Sequence, residues 1–120
     1  MESLRISKTD ETPEINFDKS IGKFEISGRS LPEDSVEFYS PVFQWLGLYA
    51  KDPNPTTEFV FKLDYVNTAS SKMIQDVLTA LEKIKNVKVV WYFHDEDEDM
   101  EEMGQELSEI VEIPFEYKTL

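Results

Sequence analysis

Thr57-Glu-Phe-Val-Phe-Lys-Leu-Asp-Tyr-Val66 runs directly into Asn67-Thr-Ala-Ser-Ser-Lys72, and this passage decides the fold. Its first part is rich in β-branched and aromatic residues, and Phe59, Phe61, Leu63 and Tyr65 recur at period two, so a strand with one apolar face is predicted. The Asn-Thr-Ala-Ser-Ser cluster ends that strand and opens a helix. In it Met73, Ile74, Val77, Leu78, Leu81 and Ile84 repeat at helical spacing, with Lys72, Gln75, Asp76, Thr79 and Lys83 on the polar side. A strand that turns at once into an amphipathic helix points to a layered α/β fold.

The flanking chain continues the pattern. Downstream, Val87-Lys-Val-Val-Trp-Tyr-Phe93 is apolar on both faces, as expected of a strand covered on both sides in mid-sheet. His94-Asp-Glu-Asp-Glu-Asp99 follows, then a weaker helix carrying Met100, Met103, Leu107 and Ile110. Pro114 confines the last segment, Ile113-Pro-Phe-Glu-Tyr117, to a strand start or a sheet edge. Upstream, Asp52-Pro-Asn-Pro55 is a loop, preceded by a helix predicted to run from Ser30 to about Ala50. Ser30 fits its N-cap, Glu33 the capping-box position and Pro32 the first turn. Val36, Tyr39, Phe43, Leu46 and Ala50 form one apolar stripe, and Phe38, Val42, Trp45 and Tyr49 a second beside it. So broad an apolar surface suits packing against both sheet and helix, or a docking face for a partner. Pro41 is expected to bend or interrupt this helix near Tyr39-Ser40. Earlier still, Pro13–Phe17 and Lys23–Ser27 alternate about Asp18–Gly22 and read as a hairpin, with Leu4–Ile6 a possible short strand. The expectation is one α/β (α+β) domain over residues 1–120, a mixed sheet of about five strands with three helices in the order ββαβαβαβ.

Of the 120 residues, 25 are Asp or Glu against 12 Lys or Arg, a formal charge of −13. Such a balance disfavours nucleic acid and anionic membranes, both of which require cations on the protein. A protein or small-molecule partner fits better. The charge is localised: ten acids and no base lie between His94 and Glu112, leaving a nearly balanced remainder. No cysteine and one histidine exclude disulfides, thiolate chemistry, Cys-ligated zinc and multi-His metal sites. The polar N-terminus lacks the pattern of a signal peptide, and no apolar run approaches membrane-spanning length, so a soluble cytoplasmic protein with no cofactor is expected.

Thr68, Ser70 and Ser71 place three hydroxyls where the strand becomes a helix. An anion there meets unpaired amides and the positive end of the helix dipole, so a phosphate on Thr68 would be accommodated, with Lys72 four residues on along the same face. From local sequence alone the plainer reading is that Thr68, Ser70 or Ser71 simply caps the helix. Asp95, Asp97 and Asp99 have the spacing at which an EF-hand loop begins, but Met100 stands where its glycine is required. Residues 95–112 are therefore read as a solvated acidic cap on the third helix, with a constitutive acidic module binding protein or divalent metal as the alternative. His94 has no nucleophile or oxyanion site near it in sequence, and no catalytic constellation is found. Tyr65, Trp91 and Tyr92 are read as core residues rather than ligand-stacking ones.

Taken together, Glu2–Ile6, Thr12-Pro13, Phe17-Asp18, Ile26-Ser-Gly-Arg-Ser30, Val36–Tyr39, Trp45-Leu46, Pro53-Asn-Pro55, Tyr65–Lys72 and Trp91-Tyr92 make a pattern. Over nearly its full length the chain resembles the SiaC family of bacterial regulatory phosphoproteins. The resemblance implies a fold similar to STAS-type anti-anti-sigma domains, with Thr68 as the phosphorylated residue and Asn67, Ser70, Ser71 and Lys72 as possible phosphate or partner contacts. It also implies a GHKL-type serine/threonine kinase that adds the phosphate and a PP2C-type phosphatase that removes it. The unmodified form is expected to bind and activate a diguanylate cyclase, in cyclic-di-GMP control of biofilm or aggregation.

Overall fold

The computed structural model describes residues 1–120. Its elements are β1 (Leu4–Ile6), β2 (Glu14–Asp18), β3 (Lys23–Ser30), α1 (Ser35–Tyr49), β4 (Thr57–Val66), α2 (Thr68–Leu81), β5 (Val87–Phe93), α3 (Glu98–Ile110) and β6 (Phe115–Thr119). All six strands form one sheet in sequence order; β1, β2 and β3 pair antiparallel, and β3 to β6 pair parallel. The mixed α/β class and three helices agree with the sequence reading. The strand count is six rather than about five, because Leu4–Ile6 does join the edge, in register with Ile15–Phe17.

Each β-α-β step moves to the next strand in the same direction, so α1, α2 and α3 all lie on one face. Trp45 of α1 packs on Phe17 and Phe24 at ring-centroid separations of 5.1 and 5.8 Å. From α2, Ile74, Val77, Leu78 and Leu81 enter the same core as Phe59, Phe61 and Trp91. In α3, the Met100 carbonyl accepts the Trp91 indole N–H at 3.0 Å. A Cβ added to Gly104 would stand 2.5 Å from Trp91 Cδ1, so only glycine allows α3 to lie on that indole.

The other face of the sheet carries no helix, so β5 is covered there only by side chains of its neighbours: Val90 is buried and Tyr92 half-buried, while Lys88 is exposed. Its outward residues Lys88, Val90 and Tyr92 sit in register with Glu58, Val60 and Lys62 of β4 and with Glu116 and Lys118 of β6. Lys88 lies 3.3 Å from Glu116 and 3.9 Å from Glu58, and Lys62 pairs with Glu25 at 3.3 Å. Lys62 also lies over the Tyr92 ring, 4.9 Å from its centroid. Long side chains thus cover the small apolar area of β5 with their methylenes while their charges stay in water.

Tyr65 was also expected to face the core, and a register shift explains why it does not. Gly28 of β3 partners Leu63, but the next pair is Arg29 with Tyr65, so Asp64 is an extra residue and the side-chain alternation inverts. Gly28 takes φ +104° at this point, a value L side chains rarely adopt. Tyr65 is 46% exposed with the Arg29 guanidinium 5.4 Å from its ring centroid, whereas Trp91 is fully buried as expected.

The start of α1 needs a second correction. Asp34, not Ser30, is the N-cap, its carboxylate accepting the Glu37 amide at 3.0 Å. Ser30 stays in β3, and the following Leu31 amide donates to the Glu11 carbonyl at 2.8 Å, which keeps the chain out of the helix past the expected cap. Pro41 does not interrupt α1, which is continuous from Ser35 to Tyr49. Burial of Tyr39, Val42, Trp45, Leu46 and Tyr49 holds the helix across the missing amide.

Candidate functional site at the start of the second helix

The site forms where β4 ends. Asn67 leaves the strand with φ −81° and ψ 172° and caps α2: its Oδ1 accepts the Ser70 amide at 2.8 Å and its carbonyl accepts the Ser71 amide at 2.9 Å. The Asn67 amide donates to the Ser30 carbonyl of β3 at 3.0 Å, which fixes the turn to the neighbouring strand. Asn67 therefore does the capping that sequence alone left open to Thr68, Ser70 or Ser71. Thr68 is the first residue of α2 and is exposed.

The four neighbours named with Thr68 are placed differently from one another. Ser70 has no exposure at all; its hydroxyl accepts from Ser30 Oγ at 2.9 Å and points into the protein. Ser71 and Asn67 are half-buried. Lys72 is exposed, but its ammonium lies 2.9 Å from the Asp76 carboxylate, one turn further along α2 and away from Thr68. The first turn of α2 contains no acid, whereas α1 has Glu37 there and α3 has Glu98, Asp99 and Glu101. The dipole of α2 is thus uncompensated by any carboxylate of its own at the residue that carries the exposed hydroxyl.

Two residues of the Ile26-Ser-Gly-Arg-Ser30 segment lie beside this helix start and are absent from the site residues that the sequence singles out. Arg29 lies beside Tyr65 in the adjacent strand, and its Nε donates to the Asp10 carbonyl at 3.2 Å. Ser30 Oγ bridges Ser70 Oγ and, at 2.7 Å, the hydroxyl of Tyr39 on α1. Burial pushes the Tyr39 phenol up to about 12, so it stays protonated. Ser30 has the side chain of a helix cap, and only its partners across the fold, Tyr39 and Ser70, show its place here.

His94, just past β5, has its Nε2 2.9 Å from Asp64 Oδ1, both on the exposed rim. In the acidic run, Asp97 caps α3 by accepting the Met100 amide at 3.0 Å. No three His, Asp or Glu side chains converge as a cation site, so the structure lends no geometry to the divalent-metal alternative. No helix is long and apolar enough to cross a membrane.

Comparison with known proteins agrees with this architecture along the whole chain. The model of the SiaC family regulatory phosphoprotein matches residues 6–120. An uncharacterized protein of Pseudomonas aeruginosa strain UCBPP-PA14 is 31% identical over 119 residues, covering 96% of this chain and 94% of that protein. The crystal structure of apo-SiaC from Pseudomonas aeruginosa superposes with a TM-score of 0.89 at 30% identity, covering 98% of this chain and 99% of the other. The SiaC of the same organism, in the crystal structure of the diguanylate cyclase SiaD in complex with its activator SiaC, superposes at 0.90 with 30% identity and the same coverage.

Proposed function

The chain belongs to the SiaC family of regulatory phosphoproteins, and on that premise we propose that it is a non-enzymatic cytoplasmic partner switch controlled by phosphorylation of Thr68. A GHKL-type kinase adds the phosphate and a PP2C-type phosphatase removes it. The unphosphorylated form binds and activates a diguanylate cyclase, the class of partner that the related SiaC activates. One observation carries the reading: Thr68 offers an exposed hydroxyl at the first position of α2, freed from capping by Asn67 and facing a first turn without acids.

The switch follows from charge and desolvation. Phosphate adds roughly −1.5 to −2 charge at neutral pH to a surface that carries an uncharged hydroxyl otherwise. At the free surface water and the α2 amides solvate it. Pressed into a close contact without a matching cation, it loses that water at a cost of several kcal/mol. A partner built around the hydroxyl is therefore rejected, while the kinase and phosphatase act on the exposed residue. Activation of the hydroxyl belongs to the kinase, and no general base on this chain is required at Thr68.

Fragment mass spectrometry of the protein isolated from its native cell tests the assignment. A phosphate mapped to Thr68, and absent from Thr68→Ala, is expected. Stoichiometric phosphate on the alanine variant would place the site elsewhere.

A further inference from the structure

Ser30, Ser70 and Tyr39 each have 0% exposure, and their hydroxyls form one chain through the interior. Ser30 Oγ donates to Ser70 Oγ at 2.9 Å, so the 2.7 Å contact between Ser30 and Tyr39 is supplied by the Tyr39 proton. With its phenol pushed up to about 12, Tyr39 keeps that proton throughout the neutral range. Three elements are joined in this way: α1 through Tyr39, β3 through Ser30 and α2 through Ser70. Ser30 makes a further link to the same turn, its carbonyl accepting the Asn67 amide at 3.0 Å. Thr68 lies between the two points, Asn67 and Ser70, at which β3 grips the start of α2.

We infer that Ser30 is a positioning residue for Thr68: its buried hydroxyl, bonded to Ser70, holds the first turn of α2 in the one orientation that presents the Thr68 hydroxyl to an enzyme acting on it. The inference rests on the reading of Thr68 as the phosphorylated residue. Ser30 touches no phosphate itself. An in-line phosphoryl transfer is sensitive to misplacement of the accepting oxygen, so a loosened turn slows transfer without removing the docking surface. Loss of one side of a buried hydroxyl pair leaves the other hydroxyl unsatisfied inside, which the turn relieves by opening.

The test compares Ser30→Ala, Ser70→Ala and Tyr39→Phe in the full chain, by hydrogen exchange of the Ser70 and Ser71 amides, the two of this turn that are hydrogen-bonded, and by kinetics of phosphate incorporation with the cognate kinase. Ser30→Ala and Ser70→Ala break the side-chain link between β3 and α2 and leave the backbone bond from Asn67 to Ser30 in place. Each is expected to speed exchange of that turn by about fivefold, the scale of one hydrogen bond. Each should also lower the maximal rate of phosphorylation by about tenfold with little change in the half-saturating protein concentration. The double variant should add little to either single one, because both remove the same bond. Tyr39→Phe breaks only the link to α1, so it is expected to leave turn exchange and phosphorylation near wild type even where it lowers Tm. If Ser30→Ala does not fold, Ser70→Ala tests the same bond on its own. Wild-type exchange and phosphorylation in folded Ser70→Ala, or an equal effect of Tyr39→Phe on both readouts, would overturn the inference. A wild-type protein phosphorylated at another residue would defeat the Thr68 reading instead, and hydrogen exchange would still report the link.

Discussion

Asn67 Oδ1 accepts the amide of Ser70 at 2.8 Å, and this one bond determines which residue of the Asn-Thr-Ala-Ser-Ser cluster is free for chemistry. A helix start offers several orphan amides and a cluster of short polar side chains able to meet them. With Asn67 as the cap and Ser70 turned inward, Thr68 is left as the exposed hydroxyl of the first turn.

Removing the cap by Asn67→Ala is expected to lower the stability of the domain by about 1 kcal/mol, read by urea denaturation, while Asn67→Asp largely preserves it. A stability loss equally large for Asp would mean that the side-chain acceptor is not what matters.

Gly104→Ala places a Cβ 2.5 Å from Trp91 Cδ1. Alanine gains about 1 kcal/mol over glycine in intrinsic helix propensity, but overpacking against a fully buried indole costs about 1–3 kcal/mol. Net destabilisation with a shifted Trp91 fluorescence maximum is expected. A more stable variant with unchanged emission would show that α3 moves aside freely.

Tyr39 supplies an alkaline signature. Its folded pKa of about 12 stands above the ordinary value of 10.0, so the unfolded chain loses this proton first. The contribution is full below pH 10 and is lost as pH rises from about 10 to about 12. Over that window wild type is predicted to lose about 2 kcal/mol more than Tyr39→Phe, measured by denaturant unfolding at stepped pH. Parallel profiles for the two proteins would refute it.

Asp97 is engaged as the cap of α3, and the acids around it do not converge. Millimolar Ca²⁺ or Mg²⁺ is therefore expected to give no saturable heat in calorimetric titration and no rise in Tm. Stoichiometric binding abolished by Asp95→Asn and Asp99→Asn would restore the divalent-metal role for residues 95–112.

The fold was legible where one local signal dominated. The alternation in Glu58–Leu63 and the helical spacing from Met73 to Leu81 each admit one structure, and both elements appear as read. Errors gathered where two local solutions compete. Ser30 has the chemistry of an N-cap, yet its hydroxyl bonds with Tyr39 and Ser70, nine and forty residues away, keep it in β3. The extra residue at Asp64 inverts the alternation and turns Tyr65 outward, and that shift depends on pairing with Gly28, which no window around Tyr65 contains. Val87–Phe93 reads as buried on both sides because Val90 and Tyr92 are themselves apolar, but that lysines of the neighbouring strands rather than a helix cover Tyr92 is invisible in its own sequence. For the site, Asn67, Thr68 and the helix start could be read locally, whereas the inward turn of Ser70 and the engagement of Lys72 by Asp76 could not.

The switch is tested most directly by titrating a diguanylate cyclase from the same organism with the unphosphorylated protein and with protein carrying one phosphate on Thr68. Tight binding of the first and affinity weaker by about a hundredfold or more for the second are predicted, the scale set by desolvating an unmatched phosphate. Equal affinity of the two forms would contradict it.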